Sequence, residues 1–381
     1  MRFVGRLLAC CGVPLVLAGC NVYDPSLLDH DSGPPPPACE LRHPPDRPPG
    51  ADDGMDIGEL TFTVKDVIFD QSGERWRDMG FDLDGLCTLA PEFQSECRPP
   101  AATASPKVDG NNGIDNSFGS DLFPTLDLAV PGLEMTSREY QVRGVGAVAI
   151  RIRDWNGEDD DPHVDVTMAV TVIGAAAAMD GSAPAVVFTP GAPPELADGS
   201  PVPLPLWDGT DYMWLRDDNF FEGDLERPLI RDSNAYIAGR RLVVSLPDRT
   251  DFVFPGMDIG LLVRLTAAVA VVRISADNTQ LDQINMGGRW PVLDLLSTAE
   301  SMGVCRGTDY YILLGNQLDR IVDLRARPGS GGPMVDCDAL SLGLGFLEGH
   351  RVEVAAVAPG PPLEDACAAM MDGGVPADSG M

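Results

Sequence analysis

Lysine and histidine are scarce in this chain. Only two lysines, Lys65 and Lys107, stand among 27 basic residues, and the 381 residues include four histidines. Acidic residues number 58, which gives a formal net charge of −31. A field this negative repels the phosphates of nucleic acids, so the composition excludes a nucleic-acid partner. The few histidines and the lack of any Cys-x-x-Cys pair argue against a zinc site.

Recognisable catalytic motifs are also lacking. The sequence contains no Gly-x-Ser-x-Gly, no His-Glu-x-x-His, no P-loop and no dinucleotide fingerprint. The glycine-rich stretch Gly329–Gly332 precedes Pro333 rather than a lysine and a helix, which indicates a turn. A glycosidase requires only two placed carboxylates, and the many acids here neither exclude nor locate such a pair. The sequence therefore favours a non-enzymatic protein, with a surface glycan hydrolase as the alternative.

The N-terminus has the pattern of an export signal. Two arginines precede the apolar run Leu7–Ala18, which is shorter than the roughly 20 residues that a membrane-spanning helix needs. The segment Leu17–Cys20, LAGC in one-letter code, resembles the lipobox of bacterial lipoproteins. This resemblance implies that residues 1–19 are a signal peptide and that the thiol of Cys20 is acylated. The alternative is an ordinary secretory signal.

Lipid on Cys20 would hold the chain on a membrane. A single acyl chain binds marginally, whereas two or more bind firmly, and the lipoprotein resemblance implies three. In well-studied envelopes an Asp after the cysteine retains a lipoprotein at the inner membrane. Asn21 stands there in this chain, which favours the outer membrane. The expected cellular location is the cell envelope, and the membrane is the expected partner.

Composition divides the rest of the chain into three parts. Residues 20–54 contain the run Pro34–Pro37 and two further proline pairs, so they are predicted to form an extended, semi-rigid tether. Residues 55–371 are predicted to form a single β-rich domain. Residues 372–381 are rich in glycine, proline and aspartate, which predicts a disordered tail.

Alternating apolar and polar residues predict many strands. The alternation is clearest in His163–Ile173, where valines and Met168 face one way and Asp165, Thr167 and Thr171 the other, as in a half-buried antiparallel strand. Helical patterns come late, at Leu293–Met302 and Ile312–Leu324. The predicted fold is mainly β, an antiparallel β-sandwich of the jelly-roll type with one or two short helices near the C-terminus.

Six cysteines follow Cys20, an even number that predicts disulfides in an oxidising compartment. Six cysteines allow 15 pairings, and the sequence alone does not choose among them. Proximity along the chain favours Cys87–Cys97, then Cys305–Cys337, which leaves Cys39–Cys367.

Two acidic loops are candidates for a calcium site. Gly80–Gly85 (GFDLDG) and Asp109–Asn116 (DGNNGIDN) alternate carboxylates and amides with glycines, as a chain that wraps an ion with six to eight oxygen ligands must do. The EF-hand spacing is not met, so a site here would be irregular. The alternative is a pair of turns, because Asp, Asn and Gly are also the usual turn residues. The candidate ligands are Asp82, Asp84, Asp109, Asn111 and Asp115.

Aromatic residues accompany some of these loops. Trp155 lies next to an Asn-Gly turn, and Trp207, Tyr212 and Trp214 form a second group. Such rings serve as platforms for sugars, but they also fill β cores, and the core interpretation is favoured.

Several segments together resemble a known group of proteins. These are the lipobox, the proline-rich stretch, Asp82–Gly85, Asp109–Asn116, and Cys337–Phe346 (CDALSLGLGF). They are similar to surface lipoproteins encoded in high-GC genomes of the myxobacterial type. The resemblance implies a lipid-anchored address and a single architecture over most of the mature chain, and it implies no activity. Together with the residues, it predicts an anchored module that binds an envelope or extracellular ligand or has a structural role, with Ca²⁺ as a candidate structural ion.

Overall fold

The computed structural model describes residues 39–51, 54–90, 94–129, 131–256, 259–361 and 366–367. Contacts divide the chain into two units, Met1–Cys39 and Glu40–Met381, and the described strands and helices all belong to the second. The predicted signal peptide, Cys20 and the predicted tail 372–381 lie outside the described residues.

The second unit is mainly β with a few short helices, as predicted. Its strands are β1 (Leu60–Ile68), β2 (Val148–Arg153), β3 (Asp161–Ala175), β4 (Val186–Val187), β5 (Glu195–Leu196), β6 (Tyr212–Arg216), β7 (Ile230–Ala238), β8 (Arg241–Ser245), β9 (Thr250–Gly256), β10 (Ile259–Ile274), β11 (Gln280–Pro291), β12 (Ala339–Arg351) and β13 (Glu353–Ala358). Its α-helices are α1 (Phe123–Ala129), α2 (Leu133–Gln141), α3 (Val292–Ser301) and α4 (Asp309–Ile321).

The main sheet closes on itself. Eight strands follow one another in the order β3, β2, β1, β12, β11, β10, β8 and β7, each antiparallel to its neighbours, and β7 pairs with β3. The result is a closed, barrel-like sheet, which differs from the predicted two-layered sandwich. Alternation along a strand shows which residues face the core, but it does not show which strand lies alongside. The long β3 here pairs with β2 along one edge and with both β6 and β7 along the other.

Apolar side chains fill the inside of the closed sheet. Phe62 and Val64 of β1, Ile150 of β2 and Leu344 of β12 are almost completely buried in one continuous core. Each such side chain contributes roughly 1.5–3 kcal/mol when it leaves water. The core therefore provides the main stabilisation of the sheet.

Strand β3 is more deeply buried than its alternation predicts. Val164, Val166 and Met168 face the core as expected. The opposite face is also covered: Asp165 and Thr167 are buried, although a half-buried strand was predicted. Asp165 pairs with Arg231 of β7 at 2.7 Å. Further along β3, Ala169 packs with Ala149 of β2 and with residues of β6 in a second small core outside the closed sheet.

Only the two helices nearest the C-terminus, α3 and α4, agree with the prediction. Helix α3 matches the predicted Leu293–Met302, and α4 overlaps the predicted Ile312–Leu324. Helices α1 and α2 were not among the predicted elements. The buried residues of α2 are Leu133, Ser137 and Gln141, so two of the three are polar. Among the described residues, no helix is both long and apolar enough to cross a membrane.

Disulfide bonds are confirmed, but the pairing differs from the predicted one. Cys97 pairs with Cys337, 240 residues away in the sequence, and Cys305 pairs with Cys367, 62 residues away. Cys39 and Cys87 are also disulfide-bonded. The observed pairs rule out all three predicted ones: Cys87–Cys97, Cys305–Cys337 and Cys39–Cys367.

The observed pairing follows from a short backbone contact between distant segments. Arg98 and Asp336 form an isolated parallel bridge, and Cys337 N donates to Arg98 O over 2.9 Å. This contact brings the Cα atoms of Cys97 and Cys337 to 5.2 Å. Proximity along the sequence was misleading because this contact joins parts of the chain that no local pattern connects.

Part of the predicted tether lies against the folded domain. Arg42 O accepts a hydrogen bond from Asp82 N over 3.0 Å. The Arg47 guanidinium lies 4.5 Å from the centre of the Tyr236 ring, and the Tyr236 hydroxyl donates to Pro45 O over 2.6 Å. At Arg42, Pro45 and Arg47, the proline-rich segment therefore packs on the surface of the domain.

Aromatic residues near the predicted hairpin fill the core rather than form a platform. Trp155 is completely buried, and its indole N–H donates to Glu158 O over 3.1 Å. Trp214 is 5% exposed, whereas Tyr212 and Trp207 are partly exposed. The core interpretation is therefore confirmed for Trp155 and Trp214.

Candidate metal centre

The two predicted acidic loops both lie between β1 and β2 in the sequence, and they contact each other. Asp115 N donates a hydrogen bond to Phe81 O over 3.0 Å, so the loops lie side by side. Gly80 has a φ of +104°, and a Cβ at this position would lie 3.1 Å from Gly343 Cα. Glycine at position 80 therefore permits both the turn and the close passage over β12.

Three of the predicted ligands lie together. One carboxylate oxygen each from Asp82, Asp84 and Asp115 lies within 4.8 Å of the other two. The side chain of Asp82 has no exposed surface, and Asp115 is 3% exposed. Isolated charges are rarely buried in this way, because a carboxylate loses its hydration unless a cation or several donors replace the water.

A small cavity adds two further carboxylates. It has a volume of about 10 Å³ and is lined by Asp84, Asp109, Asp115 and Asp323, with Lys107 at its wall. A cavity of this size holds about one water-sized particle. The predicted ligand Asp109 is thus brought to the same place, together with Asp323, which lies between α4 and β12.

Backbone N–H groups orient the loop carboxylates. One oxygen each of Asp82, Asp84, Asp109 and Asp115 accepts a backbone hydrogen bond. The donors are Gly85 N at 2.8 Å, Leu86 N at 2.8 Å, Thr88 N at 2.5 Å and Leu83 N at 2.7 Å, respectively. These bonds hold the carboxylate planes in place before any ligand binds.

Burial raises the pKa values of the clustered carboxyl groups. It raises the pKa of Asp84 to about 6, against the hydrogen bond from Leu86 N–H, and neighbouring carboxylates raise it further. Burial likewise raises the pKa of Asp109 to about 8, and that of Asp115 well above its ordinary value, again with contributions from nearby carboxylates. The protein by itself therefore stabilises the ionised forms of these three carboxyl groups less well than water does.

The other two carboxylates of the cluster are also affected by burial. Burial raises the pKa of Asp82, and the Gly85 N–H and the nearby His43 counteract this only in part. The pKa of Asp323 is raised to about 6 by burial, although Ser341 and Ser117 donate hydrogen bonds to it. Five carboxylates thus share a region of low solvent access.

Two of the three basic groups described near the cluster pair with acids outside it. Lys107 Nζ bonds Asp121 at 2.6 Å, and the buried Arg289 pairs with Glu96 at 2.6 Å. His43 Nε2 lies 3.5 Å from Asp82 Oδ2, but the His43 side chain is 57% exposed. These contacts leave a surplus of negative charge on the cluster.

Asn111 is the predicted ligand that does not lie in the acid cluster. Its side chain is exposed, and Nδ2 donates to Asp78 Oδ1 over 2.9 Å. Asp323, by contrast, was missed. It is a single acid within the apolar stretch Ile321–Leu324, and a charge in such a place needs a partner, which is the signal that the sequence offered.

A scan against protein-family models, a search of curated proteins and a search of solved structures found no match to this chain.

Proposed function

We propose that this chain is a lipoprotein of the cell envelope, anchored through Cys20, on the outer rather than the inner membrane. Its domain acts as a non-enzymatic binding or envelope-structural module. The observation that carries the proposal is that every cysteine among the described residues is disulfide-bonded. Disulfides persist in compartments outside the cytoplasm, which is where the predicted signal peptide directs the chain.

The acid cluster does not have the shape of a glycan hydrolase site. A glycosidase places two carboxyl groups about 5–10 Å apart at a cleft that admits a sugar ring. Here the carboxylates Asp84, Asp109 and Asp115 surround a cavity of about 10 Å³, which has no room for a sugar.

A surface groove beside α2 supports the binding role. It has a volume of about 500 Å³, within the range of small-ligand sites. Phe123, Met135 and Val142 supply apolar surface, and Asp127 and Glu139 supply negative charge at the same groove.

The anchor is tested by producing the full precursor in a Gram-negative host with labelled palmitate. The wild-type chain is expected to take up label and to sediment with the outer membrane, because two or more acyl chains hold a protein firmly on a bilayer. The Cys20→Ser variant is expected to lack label and to appear in the soluble periplasmic fraction. Label uptake and density-gradient fractionation are the measurements.

Cys11→Ser is the matched control, since Cys11 lies within the apolar run of the signal and outside the lipobox. It is expected to behave like the wild type. If wild type, Cys11→Ser and Cys20→Ser are all unlabelled and soluble, the signal is an ordinary secretory one and the lipoprotein proposal is wrong.

A further inference from the structure

The buried acid cluster contains a carboxylate oxygen that accepts no hydrogen bond from the described residues. Asp82 Oδ2 is buried and, among the described residues, accepts no hydrogen bond. The Asp82 side chain is completely buried, and the nearest basic group is the exposed His43 imidazole at 3.5 Å. A buried carboxylate oxygen that has one exposed imidazole nearby and no hydrogen bond is costly, so a further partner is expected at this oxygen.

The position of this oxygen indicates what the partner is. Asp82 belongs to the same group of three carboxylates as Asp84 and Asp115, within 4.8 Å of one another, which is the spacing of ligands around one ion. Asp109 and Asp323 line the adjoining cavity. A single particle at this place would contact several carboxylates and remove their mutual repulsion.

We propose that Asp82, Asp84 and Asp115 bind one calcium ion, with Asp109 and Asp323 completing the acidic environment. The donors are oxygens only, which selects a hard cation. Ca²⁺ accepts six to eight oxygen ligands at about 2.3–2.6 Å in irregular geometry, whereas Mg²⁺ demands a compact octahedron and keeps its water. Ligands that come from two irregular loops fit the calcium pattern.

The role of the ion is structural. The ligands come from the loop that follows β1 and from the segment that precedes α1, and Asp323 adds the connection between α4 and β12. The ion therefore joins three parts of the chain that are far apart in sequence. This site does not depend on the lipid anchor, so the two proposals stand or fall separately.

The test uses the full mature chain with its disulfides intact, titrated with CaCl₂ or MgCl₂ after treatment with EDTA. Isothermal titration calorimetry is expected to show one calcium per chain, and thermal unfolding is expected to shift upward with Ca²⁺ more than with Mg²⁺. A ligand that binds only the folded state stabilises it in proportion to the logarithm of its concentration over Kd.

Two variants test the ligands. Asp115→Asn and Asp84→Asn keep the shape of the side chain and remove one charge, so each is expected to lower calcium affinity at least about tenfold. In EDTA, Asp115→Asn is expected to melt at or above the wild-type temperature, because the substitution relieves repulsion in the empty cluster. Loss of the calcium response without loss of fold separates a ligand from a merely structural residue.

Two further variants serve as controls. Asp277→Asn removes an exposed aspartate that caps its own turn, and Asn111→Ala removes the predicted residue that lies outside the cluster. Both are expected to keep the calcium response. No calcium binding by the wild type, or an equal response in Asp277→Asn and in both Asp115→Asn and Asp84→Asn, would overturn the proposal.

Discussion

Glu59 illustrates how single charges are held in this acidic protein. It lies just before β1, and its carboxylate bonds Arg151 at 2.9 Å and Arg153 at 2.6 Å on the neighbouring strand β2. Burial alone would raise the pKa of Glu59, but the two arginines outweigh it and lower the pKa below 4.5. The Arg151 side chain is only 5% exposed, so Glu59 balances a charge that is largely removed from water.

We expect Glu59→Gln to lower the free energy of unfolding at pH 7 by about 1–2 kcal/mol, less than for a fully buried pair because Glu59 is partly exposed. Because the folded pKa is below the unfolded one, the carboxylate stabilises the fold above pH 4.5 and this contribution is lost as the pH falls through the folded pKa. Chemical denaturation at a series of pH values measures this.

The wild type and Glu59→Gln should therefore become equally stable in acid. Glu195→Gln is the control, because Glu195 is exposed on the short strand β5. It should change stability little at any pH. A difference between wild type and Glu59→Gln that grows in acid would contradict the assigned sign.

At this scale the sequence predicted four of the five clustered carboxylates. Asp82, Asp84, Asp109 and Asp115 lie in short loops whose composition is itself the signal. Asp323 lies far away in the sequence, and only the packing of the connection after α4 brings it to the cavity.

Secondary structure elements were predictable where their buried faces are apolar. Strands β1, β3 and β12 show the alternation of a sheet, and α3 shows the apolar period of a helix. Helix α2 was missed because two of its three buried residues, Ser137 and Gln141, are polar. Gln141 Oε1 accepts a hydrogen bond from Val67 N over 3.0 Å. A helix whose buried face is mostly polar leaves only a weak hydrophobic pattern.

We expect the double variant Cys97→Ala/Cys337→Ala to lose about 2–5 kcal/mol of unfolding free energy. This disulfide closes a separation of 240 residues, so its loss frees a very large loop in the unfolded chain. Denaturation under non-reducing conditions measures the loss.

The matched comparison is Cys305→Ala/Cys367→Ala, which opens a separation of 62 residues. Its loss of stability should be smaller, since loop entropy grows with the logarithm of length. A larger loss in this second variant would mean that local packing, rather than loop closure, determines the effect of these bonds.

At the scale of the whole molecule, the self-repulsion of the net charge destabilises the fold and the closure of the main sheet stabilises it. The formal net charge of −31 favours expansion by self-repulsion, and the closed sheet must resist it. Closure helps because it leaves fewer strand edges in the main sheet unpaired.

We expect the melting temperature in EDTA to rise by a few degrees between about 0.05 and 0.5 M NaCl, because salt screens the repulsion among exposed carboxylates. KCl should give the same shift, since screening does not depend on the identity of the cation. Differential scanning calorimetry measures the change. A fall in melting temperature with salt would mean that surface ion pairs outweigh the net repulsion.

The sequence by itself determined the mainly β class, the position of strand β3 and of helices α3 and α4, the presence of disulfides and the loops rich in carboxylates. These features depend on residues that are close together in the chain, so local patterns record them. Only the tertiary structure decided that β7 pairs with β3, that Cys97 pairs with Cys337, and that Asp323 joins the acid cluster. Each of these joins distant segments, and such contacts are selected by the packing of the whole chain rather than by any one segment.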